Sequence, residues 1–421
     1  MAGILKTVTL GCKVNQYETE FVREGLLRAG YRDAIAKEVA DLCIVNTCTV
    51  TQEGDAKSRQ IIRRIARENP LARIVVMGCY ATRAPAEVAA LPGVAEVVTD
   101  KRTLPQWLSQ FGAVELPSGI SGFGRRHRAY VKVQDGCLLR CTYCIIPTVR
   151  PKLTSRPVQE IHDEVLRLLD NGFREIVLTG IHLGHYGVDW NRDKPKSEWT
   201  RLAHLVDGLA RIPGDFRLRL SSIEATETTD ELVDVIGQHA DKICPHMHIC
   251  LQSGSDAVLR RMHRRWGVRR FIDRCRHVQH VLDQPALTTD VLVGFPGETD
   301  QDFDDTCKVL RDIGFSKAHV FPFSPRTGTP AATMDLQVPS HVVAQRVRHI
   351  AQLEEELRQE YFQSLQGKRL RVLVESLAGA QRFNGTSCRY APVQLSVPGD
   401  PTGQLLDVIA GPVIDGRIHA R

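Results

Sequence analysis

The strongest constraint in this 421-residue chain is an alternation of β-branched runs with helical patterns that occurs twice along its length. Between Ala129 and about Ser324, six runs read as strands: Tyr130–Gln134 (YVKVQ), Glu175–Gly180 (EIVLTG), Arg217–Ser222 (RLRLSS), His246–Gln252 (HMHICLQ), Thr288–Gly294 (TTDVLVG) and Lys317–Phe323 (KAHVFPF). Helical patterns separate them. In Pro157–Leu169, for example, Val158, Ile161, Val165 and Leu168 share one face, with Ser155 placed to cap the start. Six such units predict a parallel sheet closing partway round a (β/α)6 barrel, with its reactive side at the C-terminal strand ends.

The first alternation is shorter. Thr7–Cys12, Asp41–Cys48, Arg73–Cys79 and Glu96–Asp100 read as strands, with helices over Gln16–Ala29 and Glu53–Glu68. That pattern predicts an open parallel sheet covered by helices. Gly112–Gly124 is rich in Gly, Ser and Pro and reads as a linker. A long amphipathic helix is expected over His341–Leu365. Gly367–Arg421 carries short strand patterns and turns without a convincing helix, which predicts a small β-barrel. The chain is thus an α/β protein with three expected units: residues 1–115, 123–362 and 367–421.

No apolar run approaches the roughly 20 residues of a membrane helix. The opening MAGILKTVTLGCKVNQ goes straight into a strand pattern without a leader's apolar core, so a cytoplasmic protein without a membrane is expected. Twelve cysteines in such a chain argue against a disulfide framework and for metal-binding or catalytic thiols. The net charge of +6 permits a polyanionic partner. Basic clusters at Arg59–Arg67, Arg125–Lys132, Arg260–Arg270 and Lys368–Arg371 are individually readable as solvated faces, but together they favour nucleic acid.

Two cysteine sets stand out. Cys137, Cys141 and Cys144 lie in one loop, GCLLRCTYC, directly after the first barrel strand. The C-x3-C-x2-C spacing can ligate three of the four irons of a cubane cluster and leave one open. S-adenosylmethionine (SAM) can chelate that open iron and be cleaved reductively to a radical. Zinc would need a fourth ligand, and no His or Cys lies nearby in sequence. Cys12, Cys48 and Cys79 each end a predicted strand, so a parallel sheet would bring them to one crevice. From spacing alone, a second cluster and three buried thiols both remain open. Cys43, Cys244, Cys250, Cys275, Cys307 and Cys388 receive no role.

With these residues in view, the chain resembles the radical SAM methylthiotransferase family over essentially its whole length. The resemblance is nearest to the branch acting on N6-threonylcarbamoyladenosine in tRNA. It rests on TLGCKVNQYETE, VNTCTVT, KSRQIIRR, VKVQDGCLLRCTYCIIP, IVLTGIHLGHYG, RLSSIEA, LQSGSDAVLRRM, TTDVLVGFPGET and HVFPFSPRTGTPA, in this order. It implies two [4Fe–4S] clusters, one with SAM on Cys137, Cys141 and Cys144 and an auxiliary one on Cys12, Cys48 and Cys79. It also implies a C-terminal RNA-binding TRAM barrel. Tyr143 stands where the family's backbone meets adenine, and Thr179 and Gly180 where SAM's amino group is met. Ser222 and Glu224 are placed for the ribose or methionine ends of SAM. Gln252 and the GFPGE turn Gly294–Glu298 are weaker matches.

The chain departs from the family pattern at Leu138, Leu139 and Arg140, where an Asn-rich pair is expected. It departs again within Thr148, Val149, Arg150 and Pro151, where the family has Tyr-Ala-Arg-Gly and Arg150 alone agrees. The thiols are intact, and the contacts around SAM or the base are what this alters. The implied reaction replaces the C2 hydrogen of adenine by a methylthio group. The implied partners are a tRNA anticodon loop and an electron donor such as flavodoxin or ferredoxin; the sulfur donor is unspecified. Alternatives are the same chemistry on isopentenyladenosine or on a ribosomal protein side chain, and a non-enzymatic iron–sulfur RNA-binding protein.

Overall fold

The computed structural model describes residues 3–113, 116–124, 126–379 and 381–420. Val114 and Glu115 of the predicted linker, Arg125 of the second basic cluster, Met1 and Arg421 lie outside the described residues.

The first alternation forms a five-stranded parallel sheet. Strands β1 (Ile4–Thr9), β2 (Arg32–Asp33), β3 (Leu42–Thr47), β4 (Arg73–Gly78) and β5 (Val94–Val97) stand in the order β2-β1-β3-β4-β5. β3 is buried at every residue, as a central parallel strand covered on both faces must be. Helix α1 (Lys13–Arg28) sets Val22 and Leu26 against Leu5, Leu42 and Ile44 on one face. Helix α2 (Gln52–Glu68) sets Ile62 and Ile65 against Val45, Ile74 and Val76 on the other. The two-residue β2 has no sequence signal because its burial pattern is too short to show a period.

The second alternation builds the partial barrel. β6 (Arg128–Asp135), with the short antiparallel β7 (Thr154–Ser155) on its outer edge, pairs with β8 (Glu175–Gly180), which pairs with β9 (Arg217–Leu220). A second parallel ladder runs through β10 (His246–His248), β11 (Ala286–Val293) and β12 (Lys317–Pro322). Between β9 and β10 only single bridges, Leu218 to Ile243 and Ile223 to Ile249, join the arc. Two expectations change in this part. Helix α3 (Val158–Asp170) buries Ile161, Val165 and Leu168, but Val158 is exposed and the N-cap is Pro157. Ser155 belongs to β7, too far back to cap. Its hydroxyl instead donates to Asp189 (2.6 Å) and accepts from the Gly187 N–H (2.8 Å). The predicted linker is also not free chain: Ile120 and Phe123 are in the main core, and the Ile120 N–H donates to the buried Glu164 (2.8 Å).

Helix α4 (Ser340–Ser364) packs on β12 and leads into a closed five-stranded barrel. Its strands β13 (Arg369–Gly379), β14 (Arg382–Ser387), β15 (Pro392–Ser396), β16 (Leu405–Ile414) and β17 (Arg417–Ala420) close in the order β13-β14-β15-β17-β16. Alternate residues Leu370, Val372, Val374, Phe383, Val393, Leu395 and Ile418 fill it. No helix among the described residues is long and apolar enough to cross a membrane.

The small barrel is bolted to the N-terminal ends of the large barrel's strands. Glu175 is fully buried and accepts from Arg217 Nε (2.7 Å) and Arg219 Nε (2.9 Å). The free ends of those guanidinium groups donate to backbone carbonyls of the small barrel: Arg371 and Thr386 from Arg217, Cys388 and Ser387 from Arg219. Burial opposes ionisation of Glu175, but Arg217, Arg219 and Arg128 outweigh it and hold the carboxyl well below the usual range. Its stabilisation is therefore present above the unfolded glutamate value of about 4.3 and is lost as pH falls towards the depressed folded value. Glu175→Gln strands two buried guanidinium charges, and a loss of about 3–5 kcal/mol is expected in chemical unfolding, with faster proteolysis at the junction between the barrels.

Candidate functional site

Cys12, Cys48 and Cys79 follow β1, β3 and β4, three adjacent parallel strands that end on one side of the sheet. Cys12 caps α1 and is exposed, Cys48 is half-buried, and Cys79 opens a short helix and is buried. Cys48 packs under Gly11: a Cβ on Gly11 would lie 3.3 Å from the Cys48 sulfur. The Cys48 thiol is pushed up by burial, with a smaller contribution from the neighbouring sulfurs of Cys79 and Cys12. Gly78, directly before Cys79, has φ +99°, and a Cβ there would meet the Asn46 side chain at 2.3 Å and the Thr47 carbonyl at 2.4 Å. Only glycine lets β4 turn this tightly into Cys79.

Cys137, Cys141 and Cys144 lie in the loop after β6, and the Cys144 N–H donates to the Cys141 carbonyl (3.1 Å). Burial, reinforced by the Cys141 and Cys137 charges, pushes the Cys144 thiol up to about 12. Each triad offers three thiols that repel as thiolates, a donor set that suits a cation-rich cluster with one iron left open. Binding iron displaces their protons.

Two guanidinium donors and one imidazole face individual sulfurs. Arg264 Nη1 donates to Cys141 (3.4 Å), Arg150 Nε to Cys79 (3.5 Å), and His182 Nδ1 lies 3.6 Å from Cys137. Each is held by a carboxylate behind it: Arg264 by Glu224, Arg150 by Glu18 and Asp135, His182 by Glu227 (3.3 Å). Burial works against the His182 charge, but the neighbouring Cys137 sulfur and Glu227 carboxylate hold it up at about 9. Arg326 reaches the loop beyond Cys48, donating to Thr49 (2.5 Å) and Asp55 (2.7 Å).

Of the residues expected to meet SAM, Tyr143 lies within the second triad's loop and Glu224 is linked to Cys141 through Arg264. Thr179 is buried at the end of β8, with Ser221 Oγ at 3.4 Å, and Gly180 lies beside the Gln134 side chain. Ser222 is exposed beyond β9. Glu224 takes both Arg264 and Trp266 Nε1 (3.1 Å) on one oxygen, Oε2. Gln252 has φ +65° and continues the pairing with β11. Tyr143 packs edge-on against Phe295 (6.3 Å between ring centres), with its backbone between the last two thiols. Glu298 of the GFPGE turn is a structural lock, accepting from the Gly294 N–H and Arg346 (both 2.6 Å).

Sequence reasoning missed Arg264, His182 and Arg326. Arg264 lay inside a basic run read as phosphate-facing, and its side chain is only 4% exposed. His182, in IHLGH, carried no spacing signal. Arg128, Arg369 and Arg371 of the other clusters are likewise paired, with Glu375, Asp407 and Asp215. Cys250, given no role, lies with His248 and Asp290 within 4.8 Å inside the barrel. Where the N-terminal sheet meets the barrel edge, a cavity of about 680 Å³ is walled by Tyr17, Lys101, Lys132, Arg150 and Pro151, away from the expected SAM contacts.

A half-barrel with a three-cysteine loop after its first strand defines a radical SAM protein, and the model of the Radical SAM superfamily matches residues 131–310. Residues 5–100 match the uncharacterized protein family UPF0004. The chain is 40% identical to threonylcarbamoyladenosine tRNA methylthiotransferase MtaB of Bacillus subtilis (strain 168), over 95% of this chain and 92% of that protein. It is 38% identical to the protein of the same name from Chlamydia pneumoniae, over 94% and 92%. Identity is 34% to tRNA-2-methylthio-N(6)-dimethylallyladenosine synthase of Rhodococcus jostii (strain RHA1), over 91% and 79%. In fold it is similar to the radical S-adenosylmethionine methyltransferase TsrM of Kitasatospora setae, with a TM-score of 0.56 at 15% identity over 79% of this chain and 77% of that one. The chain belongs to the radical SAM methylthiotransferase family, whose members use SAM and two [4Fe–4S] clusters.

The turn at Gly78 gives a test of the first triad. Gly78→Ala is expected to lower stability by more than about 1 kcal/mol, because the left-handed turn and the contacts around it admit no Cβ. On the expected assignment of a cluster to Cys12, Cys48 and Cys79, it should also remove that cluster's iron while leaving that of the second triad, roughly halving iron per chain in a colorimetric assay.

Proposed function

We propose that this protein installs a 2-methylthio group on N6-threonylcarbamoyladenosine beside the anticodon of tRNA. The observation that carries the reading is the pairing of two thiol triads at the C-terminal ends of two parallel sheets, in a chain similar end to end to threonylcarbamoyladenosine methylthiotransferases. The dimethylallyladenosine synthases match at lower identity, which ranks isopentenyladenosine second.

The three units divide the work. Residues 1–115 hold the auxiliary cluster on Cys12, Cys48 and Cys79; residues 123–362 hold the SAM cluster on Cys137, Cys141 and Cys144; residues 367–421 form the TRAM barrel that grips RNA. SAM supplies the methyl group and, on reduction, the radical chemistry that an unactivated C–H bond needs. Tyr143, Thr179, Gly180, Ser222 and Gln252 line SAM's place. Glu224 keeps Oε1 for the ligand while Oε2 secures Arg264 and Trp266. Arg264 and His182 offset thiolate charge at Cys141 and Cys137 in a low-dielectric site. An anticodon-loop base is already weakly stacked and is cheap to present to such a cleft. The reaction runs in the cytoplasm with an electron donor such as flavodoxin or ferredoxin.

Nucleoside mass spectrometry of tRNA tests this directly. Expression in a host that makes threonylcarbamoyladenosine without methylthiolating it should yield the 2-methylthio nucleoside; a new product only at isopentenyladenosine would reassign the substrate. In vitro, Cys141→Ala should abolish SAM cleavage, whereas Cys48→Ala should cleave SAM yet form no methylthio product.

A further inference from the structure

The loop that carries the second triad also reaches the first. The Cys137 N–H donates to the Arg150 carbonyl (3.3 Å), so the segment Cys137–Arg150 is pinned end to end. From that closing residue the side chain runs the other way, into the N-terminal sheet. All of its nitrogens are engaged. Nε donates to Cys79 Sγ (3.5 Å), Nη1 to Glu18 (2.8 Å) and Asp135 (2.8 and 2.9 Å), and Nη2 to Glu18 (2.8 Å) and Asn15 Oδ1 (3.0 Å). Both the Arg150 and Glu18 side chains are 2% exposed.

Asn15 extends the link to the other two thiols. Its Nδ2 donates to the carbonyls of Leu10 (2.8 Å), just after β1, and Thr47 (3.1 Å), the last residue of β3, which lead into Cys12 and Cys48. Lys132 completes the cluster with Glu18 (3.0 Å) and Asp135 (3.1 Å). Two cations and two carboxylates cancel, which leaves the Cys79 sulfur as the acceptor of the remaining N–H in a water-poor site.

We propose that Arg150 is a positioning residue that ties the two cluster sites together and, through its N–H bond to Cys79, raises the reduction potential of the auxiliary cluster. The proposal rests on the assignment of Cys12, Cys48 and Cys79 to that cluster. An N–H donor and a positive charge at a ligating sulfur favour the more negative, reduced cluster, so removing them lowers the potential. Lysine retains the charge but not the planar fork that serves the sulfur, both carboxylates and Asn15 at once.

The test uses the full chain with Cys137→Ala, Cys141→Ala and Cys144→Ala, loaded with iron and sulfide, so that only the auxiliary cluster is read. Its midpoint potential is measured by electron paramagnetic resonance during redox titration, with Arg150 intact and as Arg150→Gln or Arg150→Lys. Arg150→Gln is expected to shift the reduction equilibrium at least tenfold towards the oxidised form, about 59 mV lower for one electron, with Arg150→Lys between it and the parent. If Arg150→Gln loses its cluster, Arg150→Lys decides: a lowered potential supports the proposal and an unshifted one overturns it. Equal potentials at equal iron content in all three would reduce Arg150 to packing and overturn the proposal alone. A background chain that takes up no cluster with Arg150 in place would overturn the auxiliary-site assignment and the proposal together.

Discussion

Buried guanidinium groups clamped by carboxylates hold this molecule in register, and the rest of the site depends on them. Arg150 sits between Glu18 and Asp135, Arg326 against Asp55, and Arg217 and Arg219 on Glu175. Each arginine comes from the large barrel, and each clamp reaches a separate part of the chain: the first two meet the N-terminal sheet, and the last pair meets the small barrel's backbone. Removing a guanidinium from water costs several kcal/mol, offset only by close charges and saturated hydrogen bonds. Such clamps add little to net stability. What they impose is position, because a displaced partner leaves a charge buried alone.

The same physics governs the thiols. Parallel strands that end together present Cys12, Cys48 and Cys79 on one side of the sheet, where burial and the neighbouring sulfurs both oppose ionisation of Cys48. The surrounding residues answer with a guanidinium donor at Cys79 and at Cys141 and an imidazole at Cys137, and behind each of these groups stands a carboxylate that fixes it. The donors do not sit on the strands that carry the thiols. They arrive from elsewhere, so each sulfur environment is complete only in the assembled fold.

Much of the architecture was legible because its causes are local. A β-branched run between turn residues makes a strand, and a Gly-Cys pair at a strand's end announces a sharp turn that presents a thiol, as Gly11–Cys12 and Gly78–Cys79 do. Charge was the poorer guide. Arg264 and its neighbours Arg265, Arg269 and Arg270 look alike in sequence, yet Arg264 turns inward to Cys141 and Glu224 while the others remain exposed. Ser155 illustrates the limit at short range: two residues decided between capping a helix and bracing Asp189.

By itself, then, the sequence determined the order of strands and helices, the two triads and the side of each sheet on which they emerge, since periodicity, turn chemistry and spacing act within a few residues. Tertiary structure alone decided which charge answers which. Arg150 meets residues 132 and 135 positions away, and Arg326 meets Asp55 across 271. Nothing local distinguishes these arginines from solvated ones. Only the packing of one unit on another removes the water around them, and that desolvation turns an ordinary cation into a fixed part of the site.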